Sequence, residues 1–499
     1  MILQLIHHSY HYEMEKLTRS FFPDRTLTVL DDGMPLPADR ASEPLIAVEW
    51  QEDCASGDAF MQVTFTDPQE GVSECHSEPL QTGPVSSFDT PELAAGRALW
   101  SVLSRVTGLT PPWGILTGIR PSKLLGQLTE QAGRALAKDI LRTVYLVSPP
   151  KIELAETVAD AEAEILRSST PDSFSLYIGI PFCPNRCSYC SFVSQAISTP
   201  QAKKLLPDYF LHLLEEVRAD ADLARKCNLK LRSVYVGGGT PSTLSAEQIA
   251  ELLKTVRDEY DLSDCAEFTF EAGRPDTLTA EKLQAIHDGG ADRISINPQT
   301  MSDDVLSAIG RNHTAADIEQ SFADARAIGF ANINMDLIAG LPGDTPDGFR
   351  NSLERVLALQ PESVTIHTLA YKRSADLGAT AELFSRGRET ADMLAYAADR
   401  LTASGYAPYY MYRQARSVGN LENVGWCRPG FESPYNVFMM EEKHSIFACG
   451  AGAITKLQTP EKRIRRLANY KYPFEYINRF DEILSQKQTI LDFYGKESI

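Results

Sequence analysis

The segment Leu176-Tyr-Ile-Gly-Ile-Pro-Phe-Cys183-Pro-Asn-Arg-Cys187-Ser-Tyr-Cys190 runs from a strand-like apolar stretch into three cysteines spaced Cys-x3-Cys-x2-Cys. A [4Fe-4S] cubane takes four ligands. Three thiolates would leave one iron open to a non-protein ligand, so a loop of this kind is suited to bringing a small molecule onto the metal. Zinc sites usually combine two Cys-x2-Cys pairs, or one such pair with a His pair. Neither lies nearby, and the nearest other cysteines are Cys227 and Cys265. Taken alone, the spacing also admits small buried thiols with no ligand role.

The apolar stretch before the cysteines is the first of six. Short β-branched runs occur at Ser175 to Ile180, Ser233 to Val236, Glu267 to Phe270, Arg293 to Ile296, Asn332 to Met335 and Ser363 to Ile366, separated by helix-length segments. Six alternations of this kind predict an α/β fold with a parallel sheet. Gly237, Glu271, Asn297, Asp336 and His367 fall at the ends of the runs, the C-terminal edge where barrel enzymes place their sites. A closed eight-stranded barrel would need two more units before Gly405. None is visible, so the sequence predicts an open six-unit (β/α)6 partial barrel.

Residues 1–165 read as an α+β domain, 166–400 as the partial barrel and 401–499 as a C-terminal cap that covers substrate. The first part carries strand-like runs at Leu45 to Trp50 and Met61 to Phe65, then a helix capped by Thr90 with Pro91 at its first position. Pro111 to Lys123, dense in turn formers and carrying Arg120 and Lys123, reads as a rigid connector before it reads as a ligand loop. Pro473 to Leu491 is helix-like. Met1 to Ser9 reads as a first strand, since it lacks a basic leader and a small-residue cleavage site. The chain has 499 residues, 43% apolar and 23% charged, and no apolar run of about 18 to 20 residues. Nine cysteines without a framework pattern suit a reducing cytoplasm. The net charge of -19 argues against a nucleic-acid partner and requires a local basic patch for any acidic substrate.

Further motifs gather on the same edge. In Val236-Gly-Gly-Gly-Thr-Pro-Ser242 three glycines allow a close backbone approach and Thr240 adds a hydroxyl. Glu271 ends an apolar strand with a carboxylate suited to an ammonium group. Tyr177 to Cys183 with Cys187 and Cys190 resembles the cluster loop of radical S-adenosylmethionine (SAM) enzymes, in the oxygen-independent coproporphyrinogen III oxidase family. The resemblance implies one [4Fe-4S] cluster on Cys183, Cys187 and Cys190, with SAM chelating the open iron and cleaved by an electron to a 5'-deoxyadenosyl radical. It implies SAM contacts from Tyr177, Tyr189, Gly237, Gly238, Gly239, Thr240, Glu271, Gln299, Arg311, Asp336 and Ile338. Ala370 and Ile454 match positions where some members contact a second SAM. Gln299 lies in Asn297-Pro-Gln299, where members typically carry Gly-x-Gln.

The C-terminal third bears on substrate. The segments Tyr409 to Gln414 and Gly419 to Gly425, with Pro111 to Lys123, resemble the HemZ-type coproporphyrinogen dehydrogenases of that family. A haem-chaperone branch carries His-Asn-x-x-Tyr-Trp where this chain has Tyr435-Asn-Val-Phe-Met-Met440. The oxidase branch usually has cysteine where Phe192 stands and histidine where Gly179 stands. The resemblance implies oxidative decarboxylation of two propionates of coproporphyrinogen III in anaerobic haem biosynthesis. Two SAM would be used per substrate, with an electron donor such as flavodoxin or ferredoxin. The alternatives are a haem-trafficking protein and a radical enzyme acting on another tetrapyrrole. Lys456, Lys462, Arg463, Arg465, Arg466 and Lys471 form a basic run that is either a propionate anchor or a solvated face. Arg373 and Arg413 are further candidate anchors, and no catalytic acid or base is singled out.

Overall fold

The computed structural model describes residues 1–52, 59–118, 120–371, 386–414, 416–459 and 463–495. Contacts divide the chain into two compact units. One comprises Met1–Asp160, Ala379–Ala391 and Met411–Glu422, the other Ala161–Gly378, Asp392–Tyr410 and Asn423–Ile499.

The first unit is built on a five-stranded sheet of β1 (Ile2–Ile6), β2 (Thr28–Leu30), β3 (Leu45–Glu52), β4 (Ala59–Asp67) and β5 (Val72–Pro79), in the order β2-β1-β3-β4-β5. Helices His11–Phe21 and Pro91–Thr107 cover it. Leu3, Leu5, Ile46, Val48, Met61 and Val63 alternate inward to meet Ala94, Ala98, Leu99 and Val102. Thr90 accepts from the Leu93 amide and Pro91 opens the helix, as its sequence predicts. Arg97 is buried against Asp89, at 2.8 and 2.7 Å, and Glu78, at 2.9 Å.

The second unit contains the predicted parallel run. Its strands are β6 (Ser173–Ile180), β7 (Phe182–Cys183), β8 (Gln195–Ala196), β9 (Lys230–Gly238), β10 (Glu267–Gly273), β11 (Arg293–Ile296), β12 (Ile333–Ala339) and β13 (Ser363–Thr368). The six long ones pair in parallel in the order β6-β9-β10-β11-β12-β13 and leave an open sheet. Beyond β13 the pattern changes. β14 (Ala407–Arg413) and β15 (Glu422–Cys427) follow in sequence, and β15 pairs antiparallel with β13, which ends the β/α repeat.

The segment expected as a separate cap enters the sheet. β16 (Ser445–Cys449) pairs parallel with β6 on its free side, and the antiparallel strands β17 (Ile454–Gln458) and β18 (Ile464–Ala468) extend that edge. Every residue of β16 is buried, so it is an interior strand supplied from the far end of the chain. The helix-like stretch after Pro473 resolves into three short helices, Pro473–Asn478, Phe480–Lys487 and Thr489–Gly495.

A buried polar network fastens this end in place. Lys487 lies 2.7 Å from Glu216 and 2.5 Å from Asp220, all three at or below 1% side-chain exposure. Glu216 accepts from the Gly450 amide at 2.7 Å, the Tyr476 hydroxyl at 2.6 Å and the Asn469 amide at 2.7 Å. Tyr209 donates to the Gly179 carbonyl at 2.6 Å and accepts from the Ala451 amide at 3.1 Å. Removing one partner of such a network leaves the other charges buried and uncompensated. Lys487→Met is therefore expected to cost about 3–5 kcal/mol, read as a lower denaturation midpoint. A midpoint within error of the parent would show that the network contributes nothing net.

Candidate active site

Because β6 and β9 to β13 run parallel, their C-terminal ends share one edge, and most of the motif residues collect there. The β6/β9 register sets Gly179 beside Gly237 and Ile180 beside Gly238. Beyond it the Gly239 amide donates to the Ile180 carbonyl at 2.8 Å and the Thr240 amide to the Phe182 carbonyl at 2.7 Å. The glycine turn thus spends two of its amides on the strand that enters the cysteine loop, rather than aiming them all at a ligand. A Cβ on Gly239 would stand 2.6 Å from the Phe182 carbonyl and 3.0 Å from Cys183 Sγ. One on Gly237 would stand 3.0 Å from the Glu271 carboxylate, and Gly238 has φ +110°.

The cysteine loop is pinned from several sides. Thr240 Oγ1 lies 3.5 Å from Cys183 Sγ, and Arg274 Nη1 lies 3.6 Å from Cys187 Sγ. Asn185 donates to the Gly310 carbonyl at 2.5 Å, and the Ser188 amide donates to the Ile309 carbonyl at 3.1 Å. Burial pushes the Cys183 thiol up and the Cys190 thiol up to about 11, so a positive metal centre would be needed to hold them as thiolates. Among the described residues no three His, Cys, Asp or Glu side chains converge as they would around one ion. A cubane takes one thiolate at each of separate corners, so three thiols on one loop, seated in a cradle a Cβ would fill, fit a cluster.

Beside the loop stands a buried carboxylate under an aromatic wall. Tyr235 donates to Glu271 at 2.5 Å, and the Tyr177, Tyr235 and Tyr435 rings stack, with Tyr235 and Tyr435 centroids 4.5 Å apart. Tyr435 is fixed by Glu267, which accepts from its amide at 2.8 Å and from Ser433, capping helix Pro434–Glu441. Burial raises Glu271 to about 7, against the Tyr235 hydrogen bond and with the Asp336 carboxylate adding to it. Burial would also raise Asp336, but His367, 3.6 Å away, with Asn334 and Thr365, holds it below the usual range.

Gln299, Asp336 and Ile338 are joined through the main chain. The Gln299 amide donates to the Asp336 carbonyl at 2.8 Å, and the Ile338 amide donates to the Gln299 carbonyl at 2.9 Å. Gln299 adopts φ +68°, which is uncommon for a residue with a side chain. Arg311 is buried and donates to the Asn297 carbonyl at 2.6 Å and to the Tyr189 hydroxyl at 3.2 Å. Ala370 is half-buried just past β13, and Ile454 is 51% exposed at the start of β17.

The proposed substrate cations fare differently. Arg413 is buried in the first unit, donates to the Leu116, Gly118 and Asn420 carbonyls and faces the Trp113 ring, so its guanidinium is already engaged. Arg373 lies outside the described residues. Arg463, Arg465 and Arg466 are exposed at the sheet margin, with Arg466 on Glu442 at 3.3 Å. The register sets Arg466 beside Lys456, Lys456 beside Ile446 and Ile446 beside Ser175. At about 3.3 Å per residue this level is about 17 Å below the site edge. The β17–β18 hairpin thus turns Arg463, Arg465 and Arg466 away from the edge that holds the cysteine loop, which weighs against them as propionate anchors. Lys471 follows β18 on the site side, where the Gly452 amide donates to the Tyr470 carbonyl.

Tyr235, Arg274, Asp276, His313 and Tyr435 are structural members of this edge that sequence reasoning passed over. Arg274 and Asp276 stand three and five positions after Glu271, and that proximity to a flagged carboxylate was the available signal.

Residues 177–356 match the Radical SAM superfamily, which defines the protein as a radical SAM protein and implies a [4Fe-4S] cluster and SAM. The chain is 39% identical over 404 residues to the oxygen-independent coproporphyrinogen-III oxidase-like protein HemZ of Bacillus subtilis, covering 79% of each chain. It belongs to the HemZ-type, oxygen-independent coproporphyrinogen-III oxidase-like family. It is also 32% identical over 315 residues to the heme chaperone HemW of Haemophilus influenzae, covering 61% of this chain and 75% of that one. The solved coproporphyrinogen III oxidase HemN of Escherichia coli matches with TM-score 0.49 at 24% identity, over 65% of this chain and 72% of that one.

Replacing Cys183, Cys187 or Cys190 by Ala should abolish stoichiometric iron and sulfide after anaerobic reconstitution, whereas Cys227→Ala should retain both. Full iron and sulfide in a variant lacking all three would exclude this loop as the cluster site. For Glu271, a ligand ammonium must displace the proton held at about 7. SAM binding should therefore release a proton and weaken as pH falls through about 7, and Glu271→Gln should lower affinity and remove the pH dependence. Calorimetry in buffers of different ionisation enthalpy reads both, and an unchanged pH profile in the variant would place the ammonium elsewhere.

Proposed function

We propose that this protein oxidatively decarboxylates the propionates of coproporphyrinogen III in anaerobic haem synthesis, in the reducing cytoplasm. The observation that carries the reading is the three-thiol loop seated on Gly239 beside the buried Glu271 on one sheet edge. The 39% identity to a coproporphyrinogen-III oxidase-like protein supports the substrate class. When bound, the cluster and SAM supply a radical able to abstract hydrogen.

The chain's own residues supply binding, orientation and dryness. Cys183, Cys187 and Cys190 hold the cluster, and Glu271 takes the SAM ammonium. Asp336, kept ionised by His367, accepts from ribose hydroxyls, while Arg311 fixes Tyr189 within the loop. The tyrosine wall keeps water from the reacting centre. Gly237 to Gly239 and Thr240 set the loop, Gln299 and Ile338 line the ligand, and Ala370 and Ile454 are the proposed contacts to a second SAM. Each propionate loses a hydrogen atom from its β-carbon, then carbon dioxide and one electron to an acceptor, leaving a vinyl group. Two propionates react, so two SAM are consumed. A flavodoxin or ferredoxin is the proposed reductant.

A second reading, haem trafficking without turnover, is favoured by the 32% identity to a heme chaperone. Tyr435, packed on Tyr235, stands where that branch places its histidine motif, which weighs against the same haem ligation.

Anaerobic incubation with coproporphyrinogen III, SAM and reductant should yield tri- and dicarboxylate products by mass. Haem retained on purification with SAM left uncleaved would replace this proposal with the second reading. We further expect Lys471→Gln to raise KM for the porphyrinogen several-fold and Arg465→Gln to leave it unchanged. The reverse result would return the anchor to Arg463, Arg465 and Arg466.

A further inference from the structure

An ion pair outside the ligand-facing residues, with its arginine buried, reaches the sulfur of one cluster ligand. Arg274 follows β10 in Gly273-Arg-Pro-Asp276, and its side chain is 4% exposed. Its Nε and Nη2 grip Asp276 at 2.9 and 2.7 Å, which fixes the plane of the guanidinium. Nη1 is turned the other way, 3.6 Å from Cys187 Sγ and 3.4 Å from the Asn185 carbonyl. Asp276 is backed in turn by His313 Nδ1 at 3.7 Å, on a ring 2% exposed.

We propose that Arg274, aimed by Asp276, is a positioning residue that donates to the Cys187 sulfur and makes the cluster easier to reduce. The inference rests on the reading that Cys183, Cys187 and Cys190 hold the cluster. Reduction adds one negative charge to the cluster and its thiolates, and a hydrogen bond from a cation to a ligand sulfur favours that state. Burial strengthens the effect, because little water reaches the contact to screen it. Asp276 sits on the far side of the guanidinium from the sulfur, so the pair acts as a dipole with its positive end on the cluster. Arg311 is also buried nearby, but it donates to the Asn297 carbonyl and the Tyr189 hydroxyl. Arg274 is therefore the guanidinium placed to act on the sulfur directly.

The two members of the pair should have opposite effects when changed singly. In reconstituted protein, with iron and sulfide quantified, the potential is read by redox titration followed by electron paramagnetic resonance. Arg274→Met should reduce the equilibrium constant for one-electron reduction about tenfold, a shift of about 59 mV downward. Asp276→Asn removes the opposing charge and should shift the potential upward. The double variant Arg274→Met/Asp276→Asn leaves no unpaired carboxylate and should lie below the parent; it carries the measurement if Arg274→Met does not hold iron. Arg274→Lys should recover part of the loss. Equal potentials in parent and double variant, or shifts of the same sign in the two single variants, would overturn the inference. A parent protein that takes up no cluster would instead defeat the underlying cluster reading.

Discussion

The close backbone approach at Gly237 to Gly239 is the constraint on which the site depends. A side chain on the first would press on the Glu271 carboxylate, and one on the third would press on the Cys183 sulfur. The turn is therefore a shared wall between the cysteine loop and the buried Glu271 carboxylate. Its amides stitch that wall to Ile180 and Phe182, so strand β6, the loop it feeds and the next strand move as one body. Pre-set spacing of this kind lets a site act without reorganising around its ligands.

The same edge shows how a strongly acidic chain manages charge in its interior. Three buried cations stand against carboxylates: Arg97 binds Asp89 and Glu78, Lys487 binds Glu216 and Asp220, and Arg274 binds Asp276. Glu271 differs, since its hydrogen-bonding partners are the neutral hydroxyl of Tyr235 and the Gly238 backbone. Burial without a paired cation raises its proton affinity, and a carboxylate kept in this state is suited to receive a charged ligand.

Much of the fold was legible because parallel strands buried on both faces leave continuous apolar runs. The six predicted runs fall inside β6 and β9 to β13, apart from Asn332, one residue ahead of β12, and Glu271 and Asp336 lie near their ends. The entry of β16 beside β6 was not legible, because five mostly apolar residues far along the chain carry no mark of their pairing partner. The basic run illustrates the same limit. Arg463, Arg465 and Arg466 have the right charge for propionates, yet their level in the sheet depends on a hairpin register that composition does not encode. Tyr235 and Tyr435 read as ordinary apolar-strand and helix residues, and only tertiary packing brings their rings together over Glu271.

The late strand has a consequence for how the protein is made. Ser445 to Cys449 complete the edge of β6, and Lys487 locks helix Pro200–Lys226 across sequence separations of more than 200 residues. While the chain is emerging from the ribosome, β6 has an unpaired edge until that distant segment arrives. Contacts this remote form slowly. Tyr209 ties Gly179, ahead of the cysteine loop, to Ala451 in this assembly, so the final setting of the loop waits on the full chain. A product truncated before residue 445 would expose both a bare strand edge and three reactive thiols to the cell's quality control.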